Sequence, residues 1–395
     1  MADSSGSLKQ LVKLAIQLKA SDIHLDSGRP SAFRINNKIE FHGSVIKAAV
    51  LKNSLLDLLG NERWAYLVQN KSIDCSENIS GVRCRINIFF TYRGVGASIR
   101  ILSSHVPSLA SLNLHPVFKT ISDFDRGLVL VCGPTGSGKS TTIAALINQI
   151  NHSKQMNVIT IENPIEYIFQ PNLSLIRQRE IGISVKDFPS GVRDALREDP
   201  DMMLVGEIRD EETARATLNA AETGHLVFTT IHSASVVEAI SRLSATFTED
   251  FQSFAFAQLA DCLKAVVCQR LVVHPKFKIR VPVCEVLIPN SATRSLLLAG
   301  NLKSLPDHLM TNRDGGCLTF DWYQQWLDGL ASLEPLPKTV RNEPVNEVES
   351  PDRETWSLAT KDLKREHVEP KSNEGYEIDG DADDLNSIIA DLEGN

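Results

Sequence analysis

The stretch GPTGSGKST, residues 133–141, constrains this chain more than any other, because it lies between an apolar strand-like run and an Ala/Leu/Ile-rich segment. It matches the phosphate-binding pattern Gly-x-x-x-x-Gly-Lys-Ser/Thr in the strand–loop–helix context that this pattern requires. Its glycines let backbone N–H groups turn inward around phosphate oxygens, and a helix N-terminus adds partial positive charge. The chain is therefore predicted to bind a nucleotide on an α/β fold.

Two residues of this loop have specific predicted roles. Lys139 is placed to neutralise the β- and γ-phosphates of ATP, and Ser140 is placed to hold Mg²⁺. The alternative is a glycine-rich loop that binds nothing, and the flanking strand and helix argue against it. The residues predicted to bind ATP are Gly133, Pro134, Thr135, Gly136, Ser137, Gly138, Lys139, Ser140 and Thr141.

Strands alternate with helices from residue 127 onward, which predicts a mainly parallel sheet covered on both faces. The predicted strands are GLVLVC, NVITIE, DMMLVGE and HLVFTTI, and the predicted helices begin at Lys139 and cover 211–222 and about 234–245. The chain before this part differs from it. A helix at 8–19, short alternating runs and a hairpin at 81–102 predict a small α+β domain.

The predicted organisation follows from these patterns. It comprises an N-terminal domain at 1–110, an interdomain linker at 111–126, a P-loop domain at 127–330 and an acidic tail at 331–395. The N-terminus lacks the apolar core and cleavage site of a signal peptide. No run approaches the roughly 20 apolar residues that a membrane span needs, and the seven cysteines include no CxxC pair. The chain is therefore predicted to be cytosolic, with reduced thiols.

Charge is distributed unevenly along the chain. Residues 331–395 contain 17 acidic and 7 basic residues, so the total net charge of −8 leaves about +2 for the first 330 residues. A body without a basic excess lacks the usual electrostatic signature of nucleic-acid binding, and no nucleic-acid partner is expected.

The acidic tail contains one patterned segment. Its high charge and low aromatic content predict disorder over most of its length. Within DLNSIIADLE, residues 384–393, the residues Leu385, Ile388, Ile389 and Leu392 have helical spacing. This pattern is either a helix that docks on a partner or on another subunit, or an incidental feature of a solvated tail.

An acidic residue follows one of the predicted core strands. In DMMLVGEIRD, residues 201–210, Glu207 comes directly after an apolar run. The C-terminal ends of parallel strands gather at the crevice where ligands bind, so Glu207 is placed to orient Mg²⁺ or an attacking water. Gly206 occupies the position where many ATPases carry Asp, which favours contact with the metal through water.

Two further segments end at the same predicted edge. NVITIENPIEY supplies Glu162 and Glu166, either of which could act as general base toward water. TGHLVFTTIHS supplies His225 and His232, which lie too far apart on one strand for both to reach a γ-phosphate. Strand polarity favours His232 as the phosphate sensor and gives His225 a structural or interface role.

Together these motifs resemble those of the secretion-ATPase superfamily, specifically the PilT/PilU-type motors of type IV pili. ASDIHL and RINNKIEF are similar to that family's N-terminal domain, GPTGSGKSTT to its Walker A motif, and TIENPIEY to its Asp box. Residues 195–233 are similar to its Walker B and His boxes. The resemblance covers about residues 8–330 and implies a PAS-like N-terminal domain followed by a RecA-like ATPase domain.

The resemblance also implies residue roles. Glu207 and Glu166 would be the catalytic carboxylates, and His232 and His225 would sense the nucleotide. Arg85 and Arg100 would correspond to the Arg box and reach nucleotide phosphates when the two domains close, with Arg93 as a further candidate.

The implied protein is a cytoplasmic homohexamer at the inner-membrane base of a pilus machine. ATP hydrolysis with Mg²⁺ would rotate its domains, move an inner-membrane platform protein and retract the pilus. A paralogous motor or regulator could bind the C-terminal tail.

The sequence departs from the family pattern at two places. Asn163 replaces the Asp for which the Asp box is named, which could alter turnover. NSATRSLLLAG, residues 290–300, is an imperfect version of the AIRNLIRE-type helix associated with retraction. The chain has neither the additional N-terminal domain nor the four-cysteine zinc element of the assembly and type II secretion branch, which favours the PilT/PilU side.

Three other interpretations stay open at this point. A related motor of conjugation, type II or type IVB secretion would share every catalytic motif. A RecA-type nucleic-acid motor should be stimulated by DNA, and the near-neutral body argues against it. An accessory PilU-like paralogue of low activity would work through its tail beside a more active motor.

Overall fold

The computed structural model describes residues 8–35, 38–102 and 106–334. Within these residues the strands form two sheets, one built before residue 102 and one after residue 126. The predicted tail helix at 384–393 lies outside the described residues, as does nearly all of the predicted tail.

The first sheet is antiparallel, with the strand order β3-β2-β1-β6-β5-β4. Strand β5 alternates between buried and partly exposed side chains, and its Ile86 and Ile88 join Leu11 and Leu55 of the two helices in one core. The elements of this N-terminal domain are α1 (Leu8–Gln17), β1 (Asp22–Asp26), β2 (Ser31–Ile35), β3 (Lys38–His42), α2 (Ala48–Asn70), β4 (Ser72–Ile79), β5 (Val82–Thr91) and β6 (Gly94–Ile101).

The second sheet has the strand order β13-β12-β7-β11-β10-β8-β9, and its neighbouring strands are parallel except β12 and β13. The elements of this P-loop domain are α3 (Val117–Ser122), β7 (Gly127–Cys132), α4 (Lys139–Ser153), β8 (Asn157–Glu162), β9 (Leu175–Glu180), α5 (Phe188–Ala195), β10 (Met202–Val205), α6 (Glu211–Glu222), β11 (Leu226–Ile231), α7 (Val236–Ala245), α8 (Glu249–Cys262), β12 (Leu263–Val273), β13 (Arg280–Leu287), α9 (Ser291–Leu298), α10 (Leu305–Thr311) and α11 (Phe320–Asp328).

The central strands of this sheet are buried on both faces. Every residue of β7, β10 and β11 is buried, which explains why these strands read as continuous apolar runs rather than alternating ones. Two hydrophobic clusters, one on each face of the sheet, contain the apolar sides of the helices. The predicted fold class, with a small antiparallel N-terminal domain and a mainly parallel second sheet, is confirmed.

Several elements lie where the sequence predicts them. Helix α6 spans the predicted residues 211–222, and the side chain of Asp210 caps it by accepting a hydrogen bond from the Thr213 N–H at 2.8 Å. The predicted hairpin at 81–102 is formed by β5 and β6, with its turn at Tyr92 and Arg93. The seven cysteines are free and buried.

Other elements carry no clear sequence signal. Helix α2 shows no single apolar face and departs from helical geometry at Gly60, whose φ of 72° suits glycine. Strand β9, LIRQRE, is an edge strand with mostly polar side chains, which hides it from a search for apolar runs. Among the helices of the described residues, none has the length and apolar character that crossing a membrane requires.

Candidate active site

The phosphate-binding loop connects β7 to α4 and packs closely against β12. At Gly133, which has a φ of 147°, a Cβ would collide with the carbonyl oxygen of Gln269. The Lys139 ammonium donates hydrogen bonds to the carbonyl oxygens of Gly133 at 2.8 Å and Pro134 at 3.1 Å. The lysine therefore lies within the curve of its own loop, where a phosphate-binding lysine is needed.

Burial changes the pKa of Lys139. It lowers the pKa of Lys139 from its ordinary value of 10.5, while the nearby charges of Glu207 and Glu166 act in the opposite direction. A partly desolvated ammonium interacts more strongly with an anion than an exposed one, because less water screens the two charges. This environment favours phosphate binding at the loop.

A buried glutamine on β12 is hydrogen-bonded to the phosphate-binding loop. Gln269 is 2% exposed; its amide N–H donates to the carbonyl oxygen of Ser137 at 2.7 Å, and its amide oxygen accepts from the Thr142 hydroxyl at 2.7 Å. One side chain thus ties the loop to the first turn of α4. Gln269 was not predicted from the sequence, although a lone amide within the apolar strand LKAVVCQRLVV is a signal of a buried polar contact.

A cavity of about 350 Å³ opens beside the loop. The N-terminal domain contributes Arg85 to its lining, and the P-loop domain contributes the rest. The predicted site residues that line it are Thr135, Gly136, Lys139, Ser140, Glu166, Glu207, His232 and Arg85. Glu162 and Asn163 line it as well, so the cavity brings together the loop and the ends of three other strands.

Glu207 lies just beyond the C-terminal end of β10. Its carboxylate is 14% exposed and approaches Arg209 Nη2 at 2.5 Å and His232 Nε2 at 3.9 Å. The backbone before it is fixed on both sides, because Gly206 N–H donates to Ile161 and the Gly206 carbonyl accepts from the Thr230 hydroxyl. This carboxylate is therefore paired with the Arg209 guanidinium rather than left alone at the end of a core strand, where an unpaired charge would be costly.

The two glutamates of TIENPIEY have different surroundings. The Glu162 carboxyl accepts hydrogen bonds from the Thr160 hydroxyl at 2.6 Å and the Gln178 amide at 3.2 Å. Burial raises the pKa of Glu162 to about 7 despite these hydrogen bonds. Glu166 instead faces Arg85 of the N-terminal domain, with 3.8 Å between Oε1 and Nη1.

His232 follows β11 and completes this edge of the site. Burial lowers the pKa of His232 from its ordinary value of 6.5, and the charge of Lys139 lowers it further, while Glu207 acts in the opposite direction. The ring is therefore neutral at neutral pH, so it can offer one N–H donor and one acceptor to a ligand.

Two predicted site residues, His225 and Arg100, lie outside both the phosphate-binding loop and the cavity. His225 precedes β11 at the opposite end of the sheet, where its Nδ1 lies 2.9 Å from the carbonyl oxygen of Ala220. Arg100 is on β6, and its Nε donates to Asp22 Oδ1 at 2.8 Å. Neither residue is brought to the cavity. Arg93, the further candidate, lies in the β5–β6 turn beside the Tyr92 ring.

Tyr167 and Arg209 also belong to this site but were not singled out from the sequence. The Tyr167 hydroxyl lies 2.9 Å from the Thr141 hydroxyl, so it joins the segment after β8 to the start of α4. Both residues line the cavity. Each stands inside a motif already recognised, TIENPIEY or VGEIRD, and proximity to those carboxylates was the available signal.

The cavity supplies oxygen donors suited to Mg²⁺. The Ser140 hydroxyl and the Glu207 carboxylate both line it. Mg²⁺ prefers oxygen ligands and usually combines one or two carboxylates with water and substrate phosphates. Across the described residues, no group of three or more His, Cys, Asp or Glu side chains could hold a metal ion. The donor set fits a cation shared with the phosphates of a nucleotide.

Comparison with known proteins gives consistent matches. The family model described as Type II/IV secretion system protein matches residues 5–298. The protein of Escherichia coli K12 named "Uncharacterized protein YggR" is 36% identical over 315 residues, covering 80% of this chain and 96% of the relative. The "Type IV pilus retractation ATPase PilT" of Pseudomonas aeruginosa is 35% identical over 334 residues, covering 83% of this chain and 96% of the relative.

A solved structure extends these matches to three dimensions. The "Crystal Structure of the Pilus Retraction Motor PilT and Bound ADP" superposes with a TM-score of 0.75 at 37% identity. The match covers 86% of this chain and 98% of that one.

Removing the support beneath the loop should weaken nucleotide binding. In Gln269→Leu, Ser137 and Thr142 lose their shared partner, and we expect affinity for a fluorescent ADP analogue to fall about tenfold, or ~1.4 kcal/mol. The control is Gln258→Leu, which removes another buried glutamine. Gln258 lies on helix α8, and its amide donates a hydrogen bond to the Glu222 carboxylate at 2.7 Å. Equal affinities of the two variants would contradict the role of Gln269.

The raised pKa of Glu162 predicts a pH-dependent gain in stability for Glu162→Gln. Below the ordinary pKa of 4.5 the carboxyl is protonated in both the folded and the unfolded protein, so the variant should match the wild type. As pH rises toward 7, only the unfolded chain ionises freely, and the wild type loses relative stability. By about pH 8 the variant should be more stable by about 3 kcal/mol at most.

Urea unfolding of both proteins across this pH range measures that difference. A stability difference that does not change with pH would contradict a raised pKa.

Proposed function

Because the chain belongs to the type II/IV secretion system protein family, as the matches over residues 5–298 and to full-length relatives establish, we propose that it is an ATPase motor that drives retraction of a type IV pilus. One observation carries the proposal. The cavity joins the phosphate-binding loop to Glu207, Glu166 and His232, and the N-terminal domain adds Arg85. The resemblance inferred from the motifs and these relatives agree on the family.

Each residue has a chemical task in this proposal. Lys139 and the backbone N–H groups of the loop bind the β- and γ-phosphates of ATP. Ser140 would hold Mg²⁺ and Glu207 would contact it through water, and the bound ion would supply positive charge against the phosphates. A water oxygen bonds to the γ-phosphorus as the bond from that phosphorus to the bridging oxygen of ADP breaks. Glu166 accepts the proton of this water, and His232 contacts the γ-phosphate.

The surroundings of the two glutamates favour Glu166 over Glu162 as the base. The Glu162 carboxyl already accepts hydrogen bonds from the Thr160 hydroxyl and the Gln178 amide, both on Oε1, and these donors compete with an attacking water for that oxygen. Glu166 has a cation from the other domain opposite it. A nucleotide phosphate that attracted Arg85 would release Glu166 to act on water.

The assembly and location are part of the proposal. The motor is a cytoplasmic homohexamer that works at the inner-membrane base of the pilus machine on a platform protein. Retraction is favoured by the name of the Pseudomonas relative and of the solved structure, both of which refer to pilus retraction. A partner of the acidic tail, such as a paralogous motor or regulator, belongs to the same proposal, whereas no nucleic acid takes part.

An accessory role is the second candidate function, and Asn163 favours it. This residue lines the cavity where the related motif has Asp, so the site lacks one negative charge beside the phosphates. A paralogue of low turnover beside a more active motor would tolerate that loss. Turnover by the purified protein alone separates the two functions.

Substituting the carboxylates should separate binding from hydrolysis. Glu207→Gln and Glu166→Gln should still bind ATP through Lys139 and the loop but hydrolyse it at least about 100-fold more slowly, because Glu166→Gln lacks the proposed base and Glu207→Gln lacks the carboxylate that orients Mg²⁺ and the attacking water. Glu162→Gln is the matched control from the same cavity and should hydrolyse ATP within about twofold of the wild-type rate. Phosphate release at saturating ATP measures all three. A fast Glu166→Gln with a slow Glu162→Gln would reverse the assignment of the base.

Deleting the gene in its host tests the direction of work. Loss of a retraction motor should leave excess surface pili, counted by electron microscopy, together with reduced surface motility. A gene encoding the Glu207→Gln protein should fail to restore motility, whereas the wild-type gene should restore it. Bald cells would indicate assembly, and unchanged pili would indicate secretion, conjugation or an accessory role.

A further inference from the structure

Two arginines on β5 reach from the N-terminal domain toward the P-loop domain. Arg83 and Arg85 are two positions apart on the strand, so their side chains leave the same face. Arg85 lines the cavity and faces Glu166. Arg83 lies deeper, with its Nη2 2.8 Å from Glu180 Oε2, and its side chain is 19% exposed.

Glu180 is the last residue of β9, and it is 5% exposed. A single oxygen of its carboxylate, Oε2, accepts three hydrogen bonds from three separate segments. These come from the Ser76 hydroxyl at 2.7 Å, Arg83 Nη2 at 2.8 Å and the Ile165 backbone N–H at 3.2 Å. Arg83 Nη2 also donates to the Ser76 hydroxyl at 2.7 Å, which closes the network.

The three donors belong to both domains. Ser76 and Arg83 are on adjacent strands of the N-terminal sheet, β4 and β5, and lie 104 and 97 residues from Glu180 in the sequence. Ile165 belongs to the segment after β8 and directly precedes Glu166. The carboxylate therefore touches both the N-terminal domain and the backbone next to the proposed base.

We propose that the Ser76–Arg83–Glu180 network is an interdomain latch, and that Glu180 is a positioning residue that holds the Glu166 segment and fixes how closely Arg85 approaches the nucleotide. This inference rests on the proposed ATPase function. Glu180 touches no reacting atom and acts through the Ile165 amide and through Arg83.

The structure separates this role from simple support of the fold. A neighbouring ion pair from the same strand, Arg179 with Glu198 at 2.6 Å, lies wholly within the P-loop domain. Breaking it should affect stability without changing the geometry between the two domains. Glu198→Gln is therefore the matched control for Glu180→Gln.

The first measurement is steady-state ATP hydrolysis by the full chain. We expect Glu180→Gln to lower kcat at least about tenfold while KM for ATP stays within about twofold, because a displaced base slows the reaction more than it weakens binding. Arg83→Gln should lower kcat to the same extent. The double variant with both Glu180→Gln and Arg83→Gln should be no slower than either single variant, because each of these changes breaks the same hydrogen-bond network. Glu198→Gln should retain the wild-type kcat.

The second measurement is amide hydrogen exchange over residues 163–168 in the nucleotide-free protein. Glu180→Gln and Arg83→Gln should accelerate exchange in this segment, and Glu198→Gln should leave it at the wild-type rate. This readout does not depend on turnover, so an inactive wild type would contradict the proposed function while exchange still tested the latch. Ser76→Ala, which keeps both charges, provides a milder variant if Glu180→Gln does not fold.

Three results would overturn the latch. They are a kcat for Glu180→Gln equal to that of Glu198→Gln, a multiplicative loss of kcat in the double variant, and unchanged exchange at residues 163–168.

Discussion

Hydrogen bonding between the parallel strands β7, β11, β10 and β8 determines where the candidate catalytic groups of the P-loop domain lie. These strands pair in register, with Ile231 opposite Cys132 and Val205 opposite Ile161. A shift of one residue would exchange the side chains that pack in the two hydrophobic clusters on the faces of the sheet, so packing against the helices fixes the register. The residues after each strand consequently share one edge, where they can be charged because the cavity admits water and ligand.

Opposite charges are balanced at that edge. Lys139, Arg85 and Arg209 face Glu207 and Glu166, so no one of these groups stands alone beside the core. A nucleotide brings several negative charges into the same space and competes with the carboxylates for the cations. The raised pKa of Glu162 reduces the negative charge that the protein itself contributes at neutral pH.

The parts of the site that could be predicted from sequence are those encoded locally. The phosphate-binding loop has a continuous pattern, and Glu207 and His232 follow apolar runs whose parallel pairing could be inferred. Gln269 is marked locally only as a lone amide in an apolar strand, and the sequence does not show what Gln269 or Glu180 holds. They act on partners 132 and 104 residues distant, and nothing near them in the sequence indicates those partners.

Arg100 and His225 also show that local sequence does not identify the partner of a side chain. Both were assigned to the nucleotide by resemblance of short motifs, which does not state the partner of a side chain, whereas strand polarity predicts a structural or interface role for His225. Arg100 pairs with Asp22 inside its own sheet, and the His225 ring contacts a backbone carbonyl at the far end of β11. The assignment of either residue to the nucleotide would require a rearrangement, whereas Arg85 already lines the cavity.

The two arginines of β5 form ion pairs of different burial with the P-loop domain. Arg85 and Glu166 are 40% and 35% exposed, and an ion pair in that environment contributes only about 0–1 kcal/mol, so phosphate can displace it at little cost. Arg83 and Glu180 are 19% and 6% exposed, and removing Arg83 would leave the Glu180 charge without compensation, which costs up to about 3–5 kcal/mol in a fully buried pair. The inner contact can therefore persist while the outer one exchanges its partner. In the proposed latch, these two arginines on one strand would connect a change at the nucleotide to the position of the N-terminal domain.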